Sequence, residues 1–187
     1  MSVIIEPYLM RPRTQRQLAD LDHVFFTSSA TQQFSGAAER AAFRERWLGR
    51  YLLADATHAF VAIEADRVVG YVIGCIDDIA GTARFADLTS ARQFEAVSAR
   101  YPAHLHINVD EWLRGRGVGA RLIETFAAHA AALGVAGMHV VTSGASRNVS
   151  FYARCGFHEA ARVPSGGGDK VFLARGFRTA SAAAIKV

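Results

Sequence analysis

The sequence predicts an α/β domain with a mixed sheet and helices on both faces. Three observations carry this expectation. An edge strand and a hairpin come early, read from alternating and apolar runs. A strand, a glycine-rich loop, a helix and another strand follow in that order. Stretches with helical periodicity fill the gaps between these runs. The 187 residues suffice for one core. No repeat or linker composition marks a boundary, so one domain is expected over residues 1–177, with a loose tail over 178–187.

The elements read as follows. Val3 to Arg11 alternates loosely and contains Pro7, as an edge strand does. Thr14 can cap a helix in which Leu18, Leu21, Val24 and Phe25 share a face. Gly36 to Leu53 is a second helical region whose Phe43, Trp47 and Tyr51 stand four apart, a stripe that reads as core. His58 to Ile63 and Val68 to Ile76 form a hairpin closed by a tight turn at 64–67. Asp77 to Pro102 is an insertion with a short helix within Ser90 to Tyr101, placing Phe94 and Val97 inward. His104 to Val109 is the next strand, and Ala120 to Leu133 a helix stopped by Gly134. Met138 to Thr142 is a strand and Arg147 to Arg154 a short helix ending at Gly156. Phe157 to Val163 and Lys170 to Phe177 are closing strands joined by a turn at Ser165–Gly168.

Composition excludes several classes. Apolar residues are 51% and charged residues 20% of the chain, an ordinary globular balance that argues against disorder. The formal net charge of +4 suits an anionic ligand, but no dense basic stripe with interleaved aromatics marks a nucleic-acid surface. Cys75 and Cys155 are too few for a disulfide framework and read as buried thiols of a reducing compartment. Met1 to Met10 lacks the pattern of a signal peptide, and no apolar run is long enough to cross a bilayer. A cytoplasmic protein is expected.

The most informative segment is Arg114-Gly115-Arg116-Gly117-Val118-Gly119, set between a predicted strand and a predicted helix. The glycines permit positive φ and close backbone approach. The first turn of the helix from Ala120 adds free N–H groups and the positive end of the helix dipole, which together make a pyrophosphate site. The spacing is not that of a Walker loop. It is also not the dinucleotide fingerprint, which opens a βαβ unit early in the chain. A glycine-rich turn without a ligand is the plain alternative.

These residues resemble the GNAT superfamily of acetyltransferases. The family's loop, R/Q-x-x-G-x-G/A, is matched by Arg114, Gly117 and Gly119, after a strand ending Ile107-Asn108-Val109. Its downstream F/L-Y-x-x-x-G-F is matched from Phe151 to Phe157. The order of elements also agrees over nearly the whole chain. Two positions depart: Glu111 lies where the family often has proline, and Ala145 where many members have the asparagine that here is Asn148. The strand Ala103-His104-Leu105-His106 is similar to the Ala-His-Leu-His strand of serotonin N-acetyltransferases. It also resembles the acetyltransferase-like domain of O-GlcNAcase-related proteins and their bacterial relatives.

The resemblance implies a mostly antiparallel sheet of six to seven strands and an acetyl-CoA-dependent N-acetyltransferase. The acetyl group would move to a primary amine by direct attack in a ternary complex, without a metal. A non-catalytic binding module of the same fold is the alternative. The acceptor would be a small-molecule or protein amine, and a homodimer is common in the family. Acetyl-CoA would lie against Ile107, Val109, Arg114, Gly115, Arg116, Gly117, Val118, Gly119, Ala120, Asn148 and Tyr152.

Tyr152 would then be the acid that protonates the coenzyme A thiolate, against the plain reading of a core tyrosine beside Phe151. His104, His106 and Asn108 alternate and share a strand face. A histidine of ordinary pKa, about 6.5, accepts a proton near neutrality. His106, then His104, are therefore the candidate bases, and paired core histidines are the other reading. Asn108 cannot serve as a base, and Asp110 and Glu111 read as solvated or structural. His104 and His106 as zinc ligands would need a third partner that no spacing supplies. His23, His58, His129, His139 and His158 are scattered and read as structural. Asp77, Asp78 and Asp87 put negative charge on the insertion, which could attract a basic amine but reads first as surface charge.

Overall fold

The structure, a computed structural model, describes residues 2–177; the expected tail over 178–187 lies outside them. Seven strands are hydrogen-bonded in the order β1-β2-β3-β4-β5-β7-β6. These are β1 (Ile4–Pro7), β2 (Phe60–Glu64), β3 (Arg67–Cys75), β4 (Ala103–Val109), β5 (Gly137–Ser143), β6 (His158–Val163) and β7 (Lys170–Gly176). The helices are α1 (Gln15–Ser28), α2 (Ala37–Arg44), α3 (Arg50–Ala54), α4 (Thr89–Arg92), α5 (Glu95–Ser98), α6 (Val118–Ala132) and α7 (Asn148–Arg154). The β1/β2, β2/β3, β5/β7 and β6/β7 pairs are antiparallel, and β4/β5 is parallel. A parallel pair needs a crossover, and α6 supplies it between β4 and β5. The expected α/β fold with a mixed, mostly antiparallel sheet flanked by helices is thus observed.

Contacts group the described residues into two compact units, one up to Cys75 with Leu105–Phe126, the other Ile76–His104 with the described residues from Ala127 onward. In the first unit, α1 opens with a capping box. The Thr14 hydroxyl accepts the Gln17 amide at 3.2 Å, and the Gln17 side chain accepts the Thr14 amide at 3.3 Å. Leu21, Val24 and Phe25 are buried, and α1 and α3 pack against β3. Apart from Arg67, every residue of β3 is buried, as expected of a strand covered on both faces. The β2–β3 turn has positive φ at Ala65 and Asp66, the geometry that matches strand twist in a two-residue hairpin. Gln17 ties that turn to α1 by donating to the Asp66 carboxylate at 3.0 Å. Beside it, Arg67 pairs with the buried carboxylate of Asp20.

Two elements differ from the sequence reading. β1 stops at Pro7 and passes into a 3-10 turn, Tyr8–Met10. The helical region expected over Gly36 to Leu53 is interrupted by a π turn, Glu45–Gly49, in which the Arg50 amide reaches back to the Glu45 carbonyl. Such a turn inserts one residue, rotates the following side chains about the axis and recurs at functional sites.

In the second unit, β5 and β7 pair from Gly137↔Gly176 to Ser143↔Lys170. The core centres on Phe94, Phe172 and Ala174, with Val97 and Tyr101 against it, so the insertion packs inward through the residues the sequence indicates. Asp78 shapes the start of the insertion. Its carboxylate accepts the Ala80 amide at 3.1 Å, and its carbonyl accepts the Thr82 hydroxyl at 2.7 Å. Asp77 lies 3.7 Å from Arg84. No helix among the described residues is long and apolar enough to cross a membrane.

Candidate active site

The first unit holds His106, Ile107, Val109 and the glycine loop. β4 runs from a buried start to a half-buried end, so its last four side chains are reachable. Alternation puts His106 and Asn108 on one face, and each meets a phenol. His106 Nε2 lies 3.0 Å from the Tyr51 hydroxyl, across 55 residues of sequence. The imidazole also meets two ring edges, Tyr51 with centroids 5.1 Å apart and Trp47 at 5.4 Å. Asn108 donates its side-chain N–H to the Tyr71 hydroxyl at 2.6 Å. Burial pushes the Tyr71 phenol well above the usual tyrosine value, against the opposing pull of Asn108, so it stays neutral. Asp22 and Arg44 pair at 2.7 Å, joining α1 to α2.

The end of β4 is fixed by close backbone contacts. Ser28, at the end of α1, donates to the Val109 carbonyl at 3.4 Å, and the Asp110 amide bonds the Val69 carbonyl at 2.9 Å. Gly70 permits this approach: a Cβ there would stand 3.1 Å from the Asn108 carbonyl oxygen and 3.3 Å from Val109 Cγ2.

From β4 the chain makes a 3-10 turn, Glu111–Leu113, and then the glycine loop. The Leu113 carbonyl accepts the Arg116 amide at 3.2 Å, and the Gly117 carbonyl accepts the Arg121 amide at 3.1 Å. Gly117 is therefore the N-cap of α6. The amides of Val118, Gly119 and Ala120 form its first turn, which has no intrahelical acceptors. Gly115 and Gly117 both hold φ of +78°, and nothing lies within 4 Å of where their Cβ atoms would be. Their need for glycine is conformational, not steric. Arg114 and Arg116 are exposed, and the Arg116 guanidinium sits 5.7 Å from the centroid of the Trp112 ring.

The second unit holds His104, Asn148 and Tyr152. His104 is buried edge-on to Phe85, centroids 4.9 Å apart, and in register with His139 on β5. His139 places Nδ1 at 2.6 Å from the Tyr101 carbonyl and stacks on Phe172 at 4.4 Å. Burial lowers its pKa to about 4, so it is a neutral core residue, in keeping with its structural reading. The two candidate histidines of β4 therefore differ: His104 lies among core rings, whereas His106 is half-buried beside Trp47 and Tyr51.

The motif from Phe151 to Phe157 has a local physical origin. At the end of α7, Gly156 takes φ of +82°. Its amide bonds the Ala153 carbonyl at 3.0 Å, while the Phe157 amide bonds the Tyr152 carbonyl at 3.1 Å. This is a Schellman cap, and its customary apolar contact is the Tyr152–Phe157 ring pair, centroids 5.3 Å apart. Arg175 adds a bond to the Cys155 carbonyl at 3.0 Å. Burial pushes the Tyr152 phenol well above the usual value, with Cys155 adding to the shift. It therefore remains a neutral hydrogen-bond donor. Asn148 is exposed on the first turn of α7, its amide held by the Ser146 hydroxyl at 3.2 Å.

Tyr51, Trp47, Tyr71 and Ser28 are absent from the candidates that the sequence yields. The spacing of Phe43, Trp47 and Tyr51 is legible and correctly marks Tyr51 as fully buried. Periodicity reports a face, however, not which polar atom the face will meet. Among the described residues, no group of three or more His, Cys, Asp or Glu side chains is placed to hold a metal ion.

Comparison with known proteins adds two kinds of finding. A family model described as an acetyltransferase (GNAT) domain matches residues 55–159. The chain is similar to the crystal structure of a protein named SsHAT, with 28% identity and a TM-score of 0.72, over 94% of this chain and 98% of that one. It shares a fold with the NatC complex bound to Gag peptide and CoA, at 14% identity and a TM-score of 0.65, over 95% of this chain and 99% of that one. It also shares a fold with an agmatine N-acetyltransferase, at 18% identity and a TM-score of 0.64, over 94% of this chain and 99% of that one.

Proposed function

The chain belongs to the GNAT family of acetyltransferases, and from that premise we propose that it is an N-acetyltransferase acting on a primary amine with acetyl-coenzyme A as donor. The observation that carries the reading is the junction between β4 and α6. Two left-handed glycines, Gly115 and Gly117, turn the chain directly into the N-terminus of a 15-residue helix. That arrangement fits an anionic coenzyme, because amides without intrahelical acceptors and the helix dipole favour a pyrophosphate. The exposed Arg114 and Arg116 add positive charge.

In this reading Arg114, Gly115, Arg116, Gly117, Val118, Gly119 and Ala120 hold the pyrophosphate. The backbone at Ile107 and Val109 and the Asn148 side chain orient the pantetheine arm. When bound, acetyl-coenzyme A supplies the acetyl group as an activated thioester. His106 takes the proton that the acceptor amine must lose, as a half-buried imidazole can near neutral pH. His104, packed among rings, is the second candidate for that proton. Tyr152 stays protonated across the working range and donates toward the leaving thiolate. Its raised pKa makes full proton transfer harder, so its contribution is chiefly a directed hydrogen bond. The acceptor is a small-molecule or protein amine.

Calorimetry with acetyl-CoA, followed by thiol release across a panel of amines, tests this reading. Saturable binding with amine-dependent thiol release is the expected result. Absence of binding at millimolar ligand would overturn it, and binding without release for any amine would mark a binding module of the same fold.

A further inference from the structure

The Tyr51–His106 pair is a polar contact of the proposed base to which the proposed chemistry gives no role. A neutral imidazole carries one ring proton, and in its bond to that one ring nitrogen the hydroxyl either donates or accepts. If the Tyr51 hydroxyl donated to Nε2, the ring proton would sit on Nδ1 and the imidazole would have no lone pair left for an amine's proton. If Nε2–H donates to the Tyr51 oxygen, Nδ1 carries the lone pair. Only the second arrangement is a base. It persists when Nδ1 is protonated, because the Nε2–H bond is unchanged. Nucleophile–base pairs elsewhere rely on the same principle, a third group that fixes the tautomer and plane of the histidine.

We infer that Tyr51 is the positioning residue for His106, its phenol oxygen accepting Nε2–H so that proton exchange with the acceptor passes through Nδ1. This rests on the reading of His106 as base. Four observations support it. The Nε2 to hydroxyl separation is 3.0 Å, an ordinary hydrogen bond. The ring plane is set by two edge contacts, from Tyr51 at 67° and from Trp47 at 78°. Both aromatics come from one helical segment: Trp47 lies within the π turn Glu45–Gly49, and Tyr51 follows it in α3. Tyr51 is fully buried, so its hydroxyl is held in place rather than exchanging with bulk water.

The test has two arms. Nitrogen-15 NMR of the histidine rings reports the tautomer directly and needs no catalysis, with His106→Gln used to assign the signal. The expected neutral form of His106 carries its proton on Nε2, and Tyr51→Phe, which keeps the ring edge and removes only the hydroxyl, loses that preference. A neutral form protonated on Nδ1 in the unaltered protein overturns the inference even if the variant fails to fold. The second arm is a double-mutant cycle on turnover. Tyr51→Phe is expected to lower kcat at least about tenfold with the KM for acetyl-CoA within about twofold. Tyr51→Phe combined with His106→Gln should be no slower than His106→Gln alone, because Tyr51 acts through the histidine. Additive losses overturn the inference. If His106→Gln turns over normally, the reading of His106 as base fails, and the tautomer measurement alone decides the role of Tyr51.

Discussion

Replacing Gly117 with alanine isolates the conformational demand of the glycine loop. Gly117 has φ of +78°, and a Cβ there would meet no atom within 4 Å. No clash contributes, so the penalty is that of placing an L-residue in the left-handed region, about 1–2 kcal/mol. Two outcomes share that penalty. If the loop keeps its shape, the free protein loses the full amount in stability and coenzyme affinity is unchanged. For a chain of this size, each lost kcal/mol lowers Tm by about 2–4 °C. If the loop relaxes to negative φ, the free protein keeps most of its stability. Binding must then restore the native loop, so affinity falls by up to about 5–30-fold, the same energy expressed as a ratio. The two losses therefore add to a fixed total. Asparagine tolerates the left-handed region, so Gly117→Asn should lose less than Gly117→Ala on both measures. Thermal melts and titration calorimetry with coenzyme A, run on both variants, give the two numbers. The reasoning is refuted if Gly117→Ala matches the unaltered protein in both Tm and affinity, or if asparagine is worse than alanine.

Gly70→Val places a Cβ 3.1 Å from a backbone carbonyl that cannot swing aside, so the end of β4 must shift. Chemical denaturation should show a loss of about 1–3 kcal/mol, with thiol release reduced further than stability accounts for. Burial raises the pKa of Asp20, but the hydrogen bonds and charge of Arg67 outweigh it and hold the carboxyl below its usual range. A depressed folded pKa adds stability that is present above the unfolded value, about 3.9, and disappears as pH falls through the folded one. Urea unfolding should therefore show Asp20→Asn less stable than the unaltered protein at pH 7, with the gap closing toward pH 3. Tyr152→Phe keeps the ring that packs on Phe157 and should leave Tm within a few degrees while slowing acetyl transfer. An unchanged rate across saturating amine would remove Tyr152 from the chemistry.

What could be read in the sequence is what local chemistry decides. Thr14 and Gln17 are three residues apart and cap each other. Gly156 and Phe157 end α7 through carbonyls of the same short helix. Gly115 and Gly117 take positive φ because the chain must turn from strand into helix within a few residues. Each rests on neighbours in the chain, so each leaves a pattern in the residues. The same holds for strand order up to the glycine loop, where alternation and turn residues mark the hairpin and β4.

The tertiary structure decided which polar atoms meet. Tyr51 and His106 are 55 residues apart, and Asn108 and Tyr71 are 37 apart. Their spacing predicts a buried face but not a partner, because hydrophobic burial is non-directional whereas a hydrogen bond needs one atom at one distance. The π turn at Glu45–Gly49 also left no signature in the periodicity, yet it helps direct Trp47 and Tyr51 toward the β4 histidine. His104 and His106 look equivalent along the strand, and only packing separates a ring set among Phe85 and His139 from one bonded to a phenol. The sequence by itself determined the fold and the loop, through periodicity and backbone conformation. The pairing that orients His106 was left to the approach of distant segments, because a side chain's directional bond depends on where the packed chain places its partner.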